Sequence, residues 1–434
     1  MQTRPEPSSH RKPGKMSWFP TAHPISWIML VVTTLAILLT SIDRQLLPTV
    51  LPAIMKDFNL TEVQAGWLNS LNFIGTFVGA MLFGVLADVF GKGYRRSWTW
   101  VAAIGVAVAA GIGTFFSRTL GSLQIWRVIM GVGTGGSEPV NVAIIGEWWQ
   151  KENRGFAVGV HHTGFPFGQF LGPVLMGAII AVATWREAFV WIPLLGVPIM
   201  LAQVMIGTKR NQEKVYGWIR ENNMTVPIEE DDSNKLENPF KLMKIALSNR
   251  NVASSVAMIF LFLWAEAGVA TFMTLHLTER VGLSLAEAAV ISGASGLTGW
   301  IGQAFWGTLS DHLGRKFSLR IIGLGWTVSV LACIFIDSAV SGWFILIIWG
   351  LFRNSPFPVT YALLIDSTPK AAASSMGLMI GIALGLSGFL VAPVAGYFIQ
   401  TWGWTANYMM LAFACVLAFI PMAMLKETVV RQDN

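Results

Sequence analysis

The chain has 434 residues, of which 53% are hydrophobic and only 12% are charged, and its mean hydropathy is +0.56. Soluble globular domains carry about 25% charged residues, so this composition excludes a water-soluble enzyme, a disordered chain and a nucleic-acid-binding protein. The two cysteines, Cys333 and Cys415, lie inside apolar runs and form neither a disulfide framework nor a metal-ligand spacing. The composition predicts an all-α polytopic membrane protein.

Twelve apolar runs are long enough for membrane helices, each of which needs about 20 residues. They lie at residues 27–53, 64–87, 97–116, 121–145, 156–183, 186–207, 251–276, 285–309, 318–337, 340–366, 372–398 and 405–425. The polar residues before the first run do not resemble a cleaved signal peptide, because that run is too long. The predicted segments are a tail at 1–24, a six-helix bundle at 25–207, a linker at 208–248, a second six-helix bundle at 249–425 and a tail at 426–434.

Lysine and arginine are distributed very unevenly along the chain. Of these 30 residues, four lie in loops on one side, three lie within spans, and the remaining 23 lie in the two tails and in the loops after even-numbered spans. Because basic loops stay in the cytoplasm, both termini and the even-numbered loops are predicted to be cytoplasmic. The expected location is the plasma membrane, which in a bacterium is the inner membrane.

The two halves of the sequence repeat each other at fixed offsets. Residues 84–92, Gly-Val-Leu-Ala-Asp-Val-Phe-Gly-Lys, recur 223 positions later as residues 307–315, Gly-Thr-Leu-Ser-Asp-His-Leu-Gly-Arg. Later in each half the offset is 219, which pairs Glu147 with Asp366. Two pseudo-symmetric six-helix halves are therefore predicted, in the parallel repeat that many secondary transporters share.

The repeated loops after spans 2 and 8 resemble the signature of the major facilitator superfamily, Gly-x-x-x-Asp-x-x-Gly-Lys/Arg. Span 4, with Arg127-Val-Ile-Met-Gly-Val-Gly-Thr-Gly-Gly136, and Glu147 followed seven residues later by Arg154 are similar to further elements of that superfamily. The resemblance covers essentially the whole chain. It implies the twelve-helix fold of that superfamily, with alternating access to a site between the halves.

The same resemblance makes the charged residues of these loops candidates for a gate, since they can pair across the halves when one face closes. The alternative is that they serve only as charges that fix the topology. Val89 stands where the superfamily usually has a basic residue, a departure that places more of the first gate on the basic residues that follow. The gate candidates are Asp88, Arg95, Arg96, Glu147, Arg154, Asp311, Arg315 and Asp366.

Six charged residues fall within the predicted spans, where ionisable groups are costly and usually mark a functional path. They are Asp43 and Arg44 in span 1, Arg127 and Glu138 in span 4, Glu266 in span 7 and Arg353 in span 10. Three are acidic and three are basic, so the interior is neutral when all are charged. The alternatives are internal ion pairs that hold helices in register and, for Arg127, a snorkelling anchor near the outer end of span 4.

Span 4 carries three of its polar residues on one stripe. Arg127, Thr134 and Glu138 are seven and four residues apart, which at 3.6 residues per turn places them within about 40° of one another. Asn141 extends the stripe, and glycines near it would let a ligand or a neighbouring helix approach closely. These residues are candidates for the wall of a substrate cavity.

Span 5 contributes His161, His162 and, two turns on from the second histidine, Gln169. Adjacent helix residues point about 100° apart, so the two histidines cannot chelate one metal. A packing histidine is favoured over a cavity-lining one, whereas Gln169 is a candidate polar contact to substrate. No metal site and no cofactor are predicted.

The beginning of the polar run in span 1, Ser41-Ile-Asp-Arg-Gln-Leu46, resembles the anion:cation symporter branch of the superfamily, which includes hexuronate, aldonate and tartrate carriers. This resemblance implies roles in anion binding and proton coupling for the Asp-Arg pair of that run and for Arg127. The branch has its span 4 acid where this chain has Thr134, so Glu138 is the candidate for that role.

A carboxylate substrate in a dry cavity favours arginine, whose guanidinium group binds it with two hydrogen bonds as lysine cannot. We therefore expect a monomeric secondary transporter in the lipid bilayer that couples a small organic anion to a proton or to sodium, without enzymatic activity. The expected substrate-binding residues are Arg44, Arg353, Arg127, Thr134, Gln169 and Asn141, and the expected coupling acids are Asp43, Glu138 and Glu266.

Two other functions fit parts of the sequence. A proton-driven exporter of drugs or organic cations would use the buried acids as a cation site, but the three intramembrane arginines argue against it. A transport-inactive anion sensor would need a signalling element, and the linker and tails contain no recognisable signalling domain. Organic-anion symport is the function that the charges favour.

Overall fold

The computed structural model describes residues 20–90, 92–150, 153–227, 244, 246, 248–368, 375 and 378–428. Within these ranges every regular element is a helix. The first half contains helices Pro24–Phe58 (span 1), Glu62–Phe90 (span 2), Arg96–Phe115 (span 3), Leu120–Glu147 (span 4), Arg154–His162 with Gly164–Ile180 (span 5) and Trp185–Leu194 with Gly196–Ile206 (span 6). A short helix, Lys209–Glu221, follows and is called the linker helix below.

The second half repeats this order. Its helices are Arg250–Glu279 (span 7), Leu285–Ser292 with Ala294–Leu313 (span 8), Arg315–Ala332 (span 9), Ala339–Arg353 with Pro356–Ser367 (span 10), and Met379–Leu386 with Ser387–Leu417 and Phe419–Met424 (spans 11 and 12). The helix Ser387–Leu417 is interrupted at Gly403, whose φ of 80° requires a residue without a side chain and marks the turn between spans 11 and 12.

Nine stretches of the described chain are individually long and apolar enough to cross a membrane. Spans 8 and 10 are not among them; each is built of two helices, which meet at Gly293 and after Arg353. Spans 11 and 12 together form one of the nine stretches, Gly381–Met424, because they follow each other directly at Gly403 without a longer loop between them. The twelve-helix fold predicted from the sequence is therefore confirmed.

Spans 2 and 8 begin in the same way in the two halves. The sequence patterns Thr-x-x-Gln and Ser-x-x-Glu predict a capping box at each start. The Thr61 amide donates to Gln64 Oε1 at 3.0 Å, and the Ser284 amide donates to Glu287 Oε2 at 3.1 Å. The repeat is thus visible at the level of helix capping as well as helix order.

Glycines bring spans 2 and 4 unusually close together. A Cβ atom on Gly79 would lie 2.0 Å from the carbonyl oxygen of Val132, and one on Gly131 would lie 2.1 Å from that of Asn72. Gly135 makes a similar contact one turn further along. Small residues four apart are a common contact of membrane helices. The sequence left open whether a ligand or a helix approaches these glycines, and the structure shows a helix.

We expect the substitution Gly131→Leu to destabilise the first half, because even the first added carbon collides with backbone that cannot move freely. Overpacking a core typically costs about 1–3 kcal/mol. The measurement is the melting temperature of the purified protein in detergent, which should fall by several degrees. Gly121→Leu on the same helix is the matched control, since an added Cβ there has no neighbour within 4 Å among the described atoms. Equal melting temperatures for the two variants would contradict this packing.

We call the end of the bundle that carries the odd-numbered loops the outer end and the opposite, predicted cytoplasmic end the inner end. Near the outer end the two halves are in direct contact. Ser70 Oγ donates to the carbonyl oxygen of Phe389 at 2.6 Å, and Asn69 Nδ2 donates to Thr271 Oγ1 at 2.8 Å. Span 5 packs against span 8 along the same side. These contacts between the two halves therefore cover the centre of the bundle from its outer side.

Candidate functional site

In the first half an arginine and a glutamate meet in the middle of the bundle. Arg44 of span 1 and Glu138 of span 4 form an ion pair with 2.6 Å between Nη2 and Oε2. Their side chains are 13% and 18% exposed, so both are largely withdrawn from solvent but remain reachable. The Arg44 guanidinium also lies 5.6 Å from the ring centre of Phe165 in span 5. Cation–π contact and ion pair together fix the position of this guanidinium.

The second half holds an equivalent pair on the equivalent helices, with the charges exchanged. Arg353 of span 10 donates from Nε to Oε1 of Glu266 in span 7 at 2.9 Å, and its Nη2 lies 2.9 Å from the same oxygen. Its Nη1 donates to Ser295 Oγ of span 8 at 2.7 Å. Arg353 is the last residue of its helix, and Pro356 begins the next helix. Because proline removes a backbone donor and breaks a helix, the break lies directly beside the arginine.

A polar bridge connects this second pair to the first half. Gln169 of span 5 accepts a hydrogen bond from Asn354 Nδ2 at 2.9 Å and lies with its Nε2 3.4 Å from Glu266 Oε1. The Glu266 carboxylate thus contacts donors from both halves of the protein. A change in the charge or position of Glu266 would therefore change the polar contact that joins the two halves.

Asp43 and Arg127 form a separate buried group inside the first half. Arg127 is fully buried, contacts Met130 Sδ through Nη1 at 3.2 Å and lies 5.7 Å from the ring centre of Phe189. Within the described residues, Asp43 Oδ1 and the Nε and Nη2 atoms of Arg127 have no hydrogen-bond partner. Since Arg127 is completely enclosed, it is not a snorkelling anchor.

The polar residues of the stripe predicted along span 4 contact different partners. Glu138 faces Arg44, whereas Thr134 donates to the carbonyl oxygen of Met130 on its own helix at 3.0 Å. Asn141 Nδ2 donates to the carbonyl oxygen of Thr33 in span 1 at 3.0 Å. Thr134 and Asn141 are both buried, and in this conformation they satisfy backbone groups between spans 1 and 4.

The two histidines of span 5 lie in different surroundings. His161 is fully buried, whereas the ring of His162 lies 6.5 Å from that of Tyr361 in span 10, across the two halves. Among the described residues no group of three or more His, Cys, Asp or Glu side chains could hold a metal ion. Aromatic packing accounts for both rings.

At the inner end each half contains one ion pair between equivalent helices. Arg96 Nε lies 2.9 Å from Glu147 Oε1, and Arg315 Nε lies 3.7 Å from Asp366 Oδ2. The two partners are 51 residues apart in each half. In this conformation each pair joins two helices of its own half.

The other gate candidates are described in part. Arg95 is exposed and donates from Nε to the hydroxyl of Tyr94 at 3.3 Å. The side chains of Asp88, Arg154 and Asp311 lie outside the described residues. Their role in a gate stays a prediction.

Several residues of the site carried no signal in the sequence. Phe165 and Ser295 contact the two arginines, and Asn354 makes the bridge between the halves. Neutral polar and aromatic residues are common in membrane helices, so only tertiary contact distinguishes them. Asn354 could have been found, since it follows Arg353 directly and precedes a helix-breaking proline.

The two arginines give the site its chemical capacity. Each guanidinium is already occupied by a carboxylate of the protein, in surroundings from which water is largely excluded. Charged hydrogen bonds are strong in such surroundings, and an unpaired charge there is costly. An anion can therefore bind to either arginine once the glutamate paired with that arginine has moved away.

A sequence profile described as Major Facilitator Superfamily matches residues 33–351 and 255–433. The chain belongs to this superfamily. Its fold is similar to that of the xylose transporter XylE from E. coli in a partially occluded inward-open conformation, with a TM-score of 0.72 and 18% identity over 94% of this chain and 100% of that one. This superfamily member is thus a multi-pass membrane transporter and not an enzyme, as the sequence predicts.

Relatives of known name are similar over most of their length. The cis,cis-muconate transport protein of Acinetobacter baylyi is 24% identical over 85% of this chain and 86% of its own. The hexuronate transporter of Bacillus subtilis is 24% identical over 71% of this chain and 70% of its own. Both names are those of organic-anion transporters.

Proposed function

We propose that this superfamily member is a proton-coupled symporter of small organic anions that works by alternating access. We further propose that it acts as a monomer in a bacterial inner membrane, with both termini in the cytoplasm. The observation that carries the proposal is the pair of arginines inside the bundle, Arg44 and Arg353, which belong to different halves and are each neutralised by one glutamate.

Substrate binding is an exchange of carboxylates in this proposal. A substrate carboxylate replaces Glu138 on Arg44 or Glu266 on Arg353, and each guanidinium can donate two hydrogen bonds to it. A displaced glutamate left ionised in this site would be an uncompensated buried charge. It therefore takes up a proton, and binding of the anion is coupled to binding of the proton.

Movement between the two faces follows from the bridge at Glu266. While Glu266 is ionised, it holds Arg353 of its own half and contacts Gln169 of the other half. A protonated and displaced Glu266 weakens this contact between the halves. The loaded site thereby favours rearrangement towards the opposite face, whereas release of anion and proton restores the bridge.

The relatives support an organic acid as the substrate. Two of them are named for cis,cis-muconate and hexuronate, both of which are organic anions. The arginines inside the bundle supply complementary charge for a substrate of that kind. Asp43 and Arg127, enclosed nearby, are proposed as a second proton-sensitive pair that does not contact substrate directly.

The experiment is uptake of labelled aromatic, sugar and aliphatic acids into vesicles that contain the purified protein. An acidic exterior should drive accumulation, and a sodium gradient at equal pH should not. Accumulation driven only by sodium would overturn the proton coupling. Efflux of a labelled organic cation with no acid uptake would favour the exporter, and acid binding without flux would favour a sensor.

A further inference from the structure

The two arginine–glutamate pairs lie against successive turns of one helix, span 5. Arg44 lies 5.6 Å from the Phe165 ring centre, while Gln169 lies 3.4 Å from the Glu266 oxygen that Arg353 binds. Phe165 and Gln169 are four residues apart on span 5, so they share a face at successive turns. The two guanidinium groups therefore lie beside successive turns of span 5, one from each half of the protein.

All four charged side chains of these pairs retain some access. Arg44 and Glu138 are 13% and 18% exposed, and Arg353 and Glu266 are 4% and 11% exposed. In each pair the glutamate is more exposed than the arginine that it covers. Each glutamate occupies the guanidinium that a substrate carboxylate would bind.

A substrate with a single acid group can replace only one of these glutamates. A substrate with two acid groups that reached only one arginine would carry its second charge into dry surroundings without a partner, which is unfavourable. If both acid groups reach an arginine, both charges are paired and the molecule connects the two halves. The arrangement therefore discriminates by the number and the spacing of acid groups.

We propose that the preferred substrates are dianions, each of whose two acid groups binds one of the two arginines, Arg44 and Arg353. This inference rests on the proposed function and specifies its substrate class. One turn of helix rises about 5.4 Å, so the acid groups should be separated by at least roughly that distance. Flexible or extended dicarboxylates of intermediate length meet this requirement, whereas very short ones do not.

The test compares acids by the concentration at which each raises the melting temperature of the purified protein half-maximally. The dicarboxylates are malonate, succinate, glutarate, adipate and pimelate, and the matched monoacids are propionate, butyrate, valerate, caproate and heptanoate. We expect the best dicarboxylate to act at a concentration at least about tenfold below that of its monoacid, as for an added buried charge pair. Malonate should show no such advantage.

Two double variants test whether the advantage of dicarboxylates over monoacids depends on the two arginines. Arg44→Gln/Glu138→Gln and Arg353→Gln/Glu266→Gln each remove an entire ion pair without leaving an unpaired charge, and each should abolish the preference for dicarboxylates. Arg186→Gln/Asp57→Asn removes an arginine–carboxylate pair of 2.7 Å near the outer end and serves as the matched control, with the preference retained.

The possible failures are distinguishable. If monoacids act at the same concentrations as dicarboxylates of every length in the unmodified protein, the dianion inference is wrong, while transport of organic anions still stands. If neither class of acid raises the melting temperature, the proposed function fails together with the inference. A dicarboxylate preference that survives both arginine–glutamate double variants would contradict the placement at these arginines.

Discussion

The substitution Arg353→Gln is expected to weaken anion binding and to lower stability at the same time. It leaves the Glu266 carboxylate in the bundle interior without the guanidinium that lies 2.9 Å from it. Breaking a buried ion pair by removing one partner costs about 3–5 kcal/mol. The substrate also loses a charged donor, which corresponds to a loss of affinity of at least about tenfold. Melting temperature in detergent measures the first effect, and the rise of melting temperature with added acid measures the second.

A second variant separates folding from binding. Arg353→Gln/Glu266→Gln removes both charges, and replacing both partners of a buried pair is often close to neutral. Its melting temperature should return towards that of the unmodified protein, while the concentration of dicarboxylate needed to raise it should stay at least about tenfold higher, as for a monoacid. Arg186→Gln, in a more exposed ion pair with Asp57, should change neither quantity by much. An unaltered acid response in the double variant would refute the assignment of Arg353.

The substitution Glu138→Gln is expected to uncouple transport from the proton. Glutamine has the shape of protonated glutamate, so it leaves Arg44 free for the substrate without any proton being bound. Accumulation of labelled acid against its gradient, driven by an acidic exterior, should fall clearly below that of the unmodified protein, because only Glu266 can still take up a proton. Exchange of labelled for unlabelled acid at equal pH should continue, because that process needs no net proton movement.

Two comparisons make this expectation specific. Glu213→Gln on the exposed linker helix removes a carboxylate of the same type far from the bundle interior and should leave accumulation unchanged. Glu138→Ala removes the whole side chain together with its charge and should impair exchange as well as accumulation. Full pH-driven accumulation in Glu138→Gln would exclude this glutamate as the coupling acid.

The fold was largely predictable because the membrane constrains it so strongly. Apolar runs of helical length gave all twelve spans, and the offsets of 223 and 219 residues gave the two halves. The breaks within spans 8 and 10 were not predicted. A proline at 356 indicated one of them, but whether a membrane helix bends or breaks at such a residue depends on the neighbours that satisfy its backbone.

The charged residues of the candidate site were predictable, but their partners were not. The cost of burial singles out all six of them in the sequence. Which arginine meets which acid is decided by helix packing. Arg44 bonds Glu138 of another helix, and the neighbouring Asp43 points away from that pair into the interior of the first half. Ser295 is uncharged and carried no signal in the sequence, whereas Asn354 is marked there only by its place between Arg353 and a helix-breaking proline.

The central claim is that an anion takes the place of a glutamate which then binds a proton. The most direct measurement mixes the purified protein with adipate in weakly buffered solution near neutral pH and follows a pH indicator, with sodium chloride as the reference. Binding should take up protons, about one for each glutamate displaced, and Glu138→Gln/Glu266→Gln should bind adipate without taking up protons. Anion binding by the unmodified protein with no proton uptake would contradict the account.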